Sequence, residues 1–229
     1  MNIEDVFNSL ICGELSKHGM SVEGSFAESD KAILRRHINI CLTELYTRYP
    51  LLVKALTIQQ FDGICEYHLS SEYAVSNKQS TQEHKYIIDT ILAPFTDDVV
   101  RVERVADEMG HIVPLNSLGK CQGVFTPSPL VIEIPNPSNE NTLFVTYRAK
   151  HPVVLTDTTE LLLPYTWLPA LLAYVAYRVY SGGTSQEHMA ISMNMHQKFE
   201  MICQQMTASG MTNEQDNSPN FNPDLRGWV

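Results

Sequence analysis

Apolar residues recur at helical spacing near both ends of this chain and alternate with polar ones through its middle. The densest apolar run is Leu161–Gly183, LLLPYTWLPALLAYVAYRVYSGG. Leu168, Leu171, Leu172, Val175 and Val179 fall on one stripe at helical period, which predicts a helix. Ala170, Ala173 and Ala176 make a second stripe of small residues, and Tyr174, Tyr177 and Tyr180 fill much of the rest. Thr166 can cap the start, Pro169 is tolerated in the first turn, and Gly182 and Gly183 stop the helix. A helix apolar nearly all round needs cover on several sides. The expected sources are other helices of the chain and a neighbouring subunit, the latter through Ala173, Tyr174, Tyr177 and Tyr180. A membrane span is the competing reading, but two prolines, Arg178 and the tyrosines interrupt the run.

Three further helices are predicted. Residues 3–17 put Ile3, Val6, Phe7, Leu10 and Ile11 on one face; Gly13 weakens this helix and Gly19 ends it. After a polar link, Ser29 or Asp30 caps a second helix whose apolar face carries Ile33, His37, Ile38, Cys41, Leu42, Leu45 and Tyr49. Glu44 and Arg48 can pair on its wet face, and Pro50 closes it. Residues 184–206 form the last helix, with Ile191, Met195, Phe199, Ile202 and Met206 in register. Its extra methionines, Met189, Met193 and Met201, read as ordinary core, with an adaptable partner surface as the alternative.

From Ala55 the period changes to two. LTIQQF and ICEYHL look like a hairpin joined at Asp62-Gly63, and EYAVS like a third extended piece. YIIDTILAPF is either strand or short helix. VVRVERVADEMGHIVPLNS is the clearest hairpin, with its turn at Asp107–Gly110. LVIEIP and LFVTYRA suggest another, punctuated by Pro127, Pro129, Pro135 and Pro137. The expected fold class is therefore α+β: an antiparallel helical bundle built from residues 1–52 and 158–206, with a β-hairpin and β-sheet region inserted over 53–157. The final stretch, 207–229, lacks periodicity and is expected to be a flexible C-terminal arm. Phe221, Leu225, Arg226, Trp228 and Val229 lie near its end, and aromatic anchors on such an arm suit docking into a partner groove.

Charge and chemistry narrow the function. The 229 residues carry a net charge of −10 with no Lys/Arg cluster, which argues against a broad phosphate-gripping surface. The five cysteines are odd in number and none has CxxC spacing, as in a protein made in a reducing cytoplasm. The N-terminus, MNIEDVFNSL, has no export-signal pattern. His188 and His196 are eight apart, without a ligand at helical spacing, and Asp97-Asp98 reads as solvated. No phosphate loop, dinucleotide fingerprint or nucleophile motif is present, so no catalytic residue, cofactor or metal is expected.

Val99–Gly110, Phe144–Pro152 and Leu161–Gly183, in this order between flanking helices, resemble the head-to-tail adaptor (connector) proteins of short-tailed bacteriophages. The likeness covers most of residues 1–206 and rests on loose patterns. It implies a non-enzymatic virion protein, made in the host cytoplasm and assembled as a dodecameric ring. One end would bind the portal protein and the other tail-tube, nozzle or fibre-attachment proteins, while double-stranded genome DNA passes through the lumen. It also implies that the arm Phe221–Val229 grips the portal. Two alternatives stay open at this point: another tail ring protein, such as a β-dominated tail terminator or tail-tube protein, and a small enzyme with a hidden site.

Overall fold

The computed structural model describes residues 1–22, 24–117, 123–139 and 141–210. Helix α1, Ile3–Cys12, starts at a capping box: the Asn2 side chain accepts from Asp5 N (2.9 Å), and Asp5 accepts from Asn2 N (3.0 Å). It ends at Gly13, earlier than the periodicity suggests. A small ribbon, β1 (Ser21–Val22) and β2 (Ser25–Phe26), leads into α2, Glu28–Arg48. Neither Ser29 nor Asp30 caps α2; Ala27 does, with no side-chain bond, its carbonyl accepting from Asp30 N and Lys31 N. The middle of the chain supplies β3 (Val53–Gln59), β4 (Glu66–His68), β5 (Ile87–Ile88), β6 (Val99–Ala106), β7 (Ile112–Val113), β8 (Phe125–Ser128), β9 (Val131–Glu133) and β10 (Thr142–Ala149). Helices α3 (Leu168–Tyr180) and α4 (Gln186–Ala208) complete it. A short 3-10 turn at Tyr165–Trp167 precedes α3, so Thr166 is not its cap; Pro169 sits in the first turn as the sequence suggests.

This is not a helical bundle with a β insertion, which corrects the expected architecture. Four helices stand beside two antiparallel sheets of five and three strands, in the orders β5-β3-β10-β6-β7 and β4-β9-β8. The helices do not pack as four equal neighbours. Instead α3 is the hub, and α1, α2 and α4 each pack on it. Its small-residue stripe explains why: Ala170, Ala173 and Ala176 are fully buried and let other backbones approach. The strands bury a core of their own, around Ile58, Tyr67, Val105, Ile132 and Val145.

Two expected hairpins are also corrected. Strands β3 and β4 flank the Asp62-Gly63 turn but lie in different sheets, β3 against β10 and β5, and β4 against β9. Likewise β9 and β10 do not pair; β10 runs between β3 and β6. Ser71–Tyr73 is a 3-10 turn rather than strand. The β6–β7 hairpin forms as its sequence indicates, closed by Asp107 N to His111 O and Gly110 N to Asp107 O. Pro127 lies in β8, at the edge of its sheet, where a missing N–H interrupts no ladder.

The two cores are tied together along α2. Leu52 packs against both. Arg148 of β10 is almost fully buried, meets Glu103 at 2.6 Å and donates to the Arg48 carbonyl at 3.1 Å, near the end of α2. Residues 151–163 run alongside the helix as a strap. Asn39 holds both backbone groups of Val154 (2.8 and 3.0 Å), Tyr46 donates to the Leu162 carbonyl, and Arg35 and Lys31 hold Asp157. Buried His151 accepts from Leu162 N at 3.0 Å through Nε2 and contacts the Pro152 carbonyl through Nδ1. That arrangement calls for the neutral tautomer with Nδ1 protonated, and burial lowers the imidazole's pKa accordingly.

Candidate interaction surfaces

The titratable clusters of this chain serve its own fold. Asp97 and Asp98 diverge. Asp97, at φ 54°, accepts from the N–H and hydroxyl of Ser71, both at 2.5 Å. Asp98 accepts from Lys54 (2.5 Å) and from buried Tyr147 (3.0 Å), whose phenol is pushed up by burial and then by the carboxylate. His188 lies against Gly183, where a Cβ would come within 2.1 Å of its ring, and stacks on His18 beside Tyr180. Burial, and then His188, lower the His18 pKa. Among the described residues no group of three or more His, Cys, Asp or Glu side chains is placed to hold a metal.

A cleft of about 440 Å³ opens between the two sheets, lined by Gln60, Asp107, Met109, Val124, Ile134 and Leu143 among others. Two of its polar groups are engaged locally. Asp107 accepts from Met109 N and His111 N, and Gln60 accepts from Ser138 N. The described lining includes the carboxylates of Asp107 and Glu108 and the hydroxyl of Thr142.

The distinctive surfaces are two uncovered faces. One is the outer side of the five-stranded sheet. Strand alternation sends Leu56, Ile58, Leu143, Val145 and Tyr147 inward and leaves Val53, Ala55, Thr57, Phe144 and Thr146 on the other side. The registers align Ile88, Thr57, Phe144, Ala106 and Ile112 in one row across all five strands. Phe144 is 45% exposed and Ile112 62%. Arg104 lies opposite Thr146, and Arg101 opposite Arg148. The end of α2 reaches this side at buried Arg148, while Phe144 and Ile112 stay open to solvent.

The second is the solvent side of α4. Phe199, Ile202 and Cys203 turn inward. Opposite them, Ala190, Met193, Asn194, Gln197, Met201, Gln204 and Gln205 are all exposed, and none is charged. Two of the helix's charges, Lys198 and Glu200, pair with Glu14 and Arg48. Met189, Met193 and Met201 are therefore surface rather than core, which corrects the sequence reading. The signal was present: read at period 3.6, one face of the helix carries no charge beyond Glu187 in its first turn.

The residues singled out on α3 lie within the chain's own packing. Ala173 and Tyr180 are buried, while Tyr174 and Tyr177 are half-buried, with Phe199 and His196 of α4 against them. The cover that α3 requires thus comes largely from α4 and α2. Phe221, Leu225, Arg226, Trp228 and Val229 lie outside the described residues; the expected arm begins inside α4, which runs to Ala208. Among the described residues no helix is long and apolar enough to cross a membrane. No family model matches the sequence, and no curated protein matches it.

Proposed function

We propose that this chain is a structural subunit of the adaptor ring between the portal and the tail of a short-tailed phage, located in the virion, with genome DNA passing through the ring. The observation that carries this reading is the pair of unlike, largely uncovered faces on one subunit, the outer sheet face around Phe144 and the nearly uncharged face of α4. A head-to-tail ring uses two different patches on each copy, one for each neighbour. Further support comes from the segments that carry the resemblance: Val99–Gly110 and Phe144–Pro152 fall on the paired strands β6 and β10, and Leu161–Gly183 on the hub helix α3. A net charge of −10 suits a channel that must release DNA. Two helices of 21 and 23 residues weigh against the β-dominated tail-ring alternative.

The test is to mix the purified chain with the portal ring encoded by the same genome and image the product. A second ring stacked on the portal is the expected result. Two folded proteins that form no complex would overturn the adaptor reading and turn attention to tail-tube partners.

A further inference from the structure

We propose that the solvent face of α4 in one copy packs on the outer sheet face of the next copy. This rests on the ring-subunit reading and names the surfaces that build the ring. A sheet side that exposes Ile88, Phe144 and Ile112 lacks the covering layer that sheets normally acquire, and a helix is a usual cover. The chain's own helices pack around α3 instead.

Charge selects a second copy as the occupant. Each chain carries −10, so two copies repel wherever carboxylates face each other. The solvent face of α4 carries a single carboxylate, Glu187 in its first turn, and the sheet face carries exposed Arg101 and Arg104. Glu187, exposed in the first turn of α4, is the one acid of that helix without an ion pair among the described residues, and it complements those arginines. The pairing is helix on sheet, so it is heterologous and leaves each copy with one face of each kind for the next.

Size sets the expected strength. A 23-residue helix is about 35 Å long, and four strand spacings make the sheet about 19 Å wide. One such contact covers less than the roughly 800 Å² per partner of a standard stable complex. A single contact is therefore weak, and closure of a ring, or a portal template that gathers copies, strengthens it.

The experiment uses the full chain without portal, in sedimentation runs over rising concentration. Wild type should self-associate. Phe144→Glu and Met193→Glu change exposed positions, so both should fold by circular dichroism, and each alone should associate roughly tenfold more weakly or less. Mixed in equal amounts, the two should form a 1:1 complex that grows no further, because the intact α4 of one seats on the intact sheet of the other. If either variant misfolds, Thr57→Glu and Ala190→Glu replace the pair. A wild type that stays monomeric up to roughly 1 mM overturns the proposal. So does a mixture of folded variants that forms no heterodimer, as an isologous α4–α4 contact would predict. Portal plays no part in this assay, so failure to bind portal and failure of this interface are read separately.

Discussion

Arg148 should hold the strand core to the helical core, and its removal can be costed from the structure. Its side chain is 10% exposed, meets Glu103 at 2.6 Å and reaches the Arg48 carbonyl at 3.1 Å. A hydrogen bond from a charged donor contributes about 1.5–3 kcal/mol. Breaking a fully buried ion pair costs about 3–5 kcal/mol, but Glu103 is 26% exposed and water recovers part of that. Arg148→Ala should therefore destabilise by about 2–4 kcal/mol. For a chain of this size that lowers the melting temperature by roughly 4–16 °C. Denaturant unfolding of Arg148→Ala, Glu103→Gln and the double variant separates the two parts. The cycle should show about 1–2 kcal/mol of coupling between the pair, with the remainder belonging to the end of α2. Arg148→Lys should recover less than half, since an ammonium cannot reproduce the guanidinium fork. A melting shift below about 2 °C for Arg148→Ala would refute the reasoning and mean that Leu52 and the strap alone join the cores.

Four other expectations follow from the same geometry. Ala173→Asp places a charge at a fully buried site on the hub helix and should give insoluble protein; a soluble variant with normal melting would show that the face is open. Asn2→Ala removes the side-chain acceptor of the capping box and should cost about 1 kcal/mol, read as a lower denaturant midpoint with unchanged slope. Burial alone would raise the Asp89 pKa, but hydrogen bonds from Ser76 and from Phe95 N outweigh it and hold it below the usual carboxylate value. Its stabilisation is therefore present above the unfolded-state value and lost as pH falls through the folded one, so Asp89→Asn should be less stable at pH 7 and converge on wild type in acid. Deleting residues 217–229 should leave circular dichroism and melting unchanged while abolishing portal binding; unchanged binding would remove the docking role of Trp228 and its neighbours.

Local signals read true where one segment decides its own structure. The 3.6-residue period locates α3 and α4, and Asp107–Gly110 marks the β6–β7 turn because the partner strands are adjacent in sequence. Pairing chosen over long distances was not legible. Asp62-Gly63 does form a turn, with Gly63 at φ 82°, yet a turn fixes only a change of direction. Which sheet each strand joins depends on where its apolar side finds cover: Ile58 of β3 beside Leu143 of β10, and Tyr67 of β4 beside Ile132 of β9. Those partners are tens of residues apart, and alternation alone does not rank them.

The same limit explains the misread bundle and the missed surface together. Two stretches of helical period at each end suggest four equal helices around a shared axis, but one of the four is apolar nearly all round and must sit in the centre. Once α3 is the hub, α4 needs to turn only Phe199, Ile202, Cys203 and their neighbours inward, and its remaining methionines have no core left to enter. Met193 and Met201 are then exposed by topology, not by poor patterning. A side chain that is ordinary filler inside a protein becomes an adaptable contact when the fold leaves it outside. What identifies this face is therefore neither its hydrophobicity nor its exposure alone. On a chain with 26 acidic residues, it is a long helical surface that is free of charge from Ala190 to Gln205 and carries one carboxylate, Glu187, in its first turn.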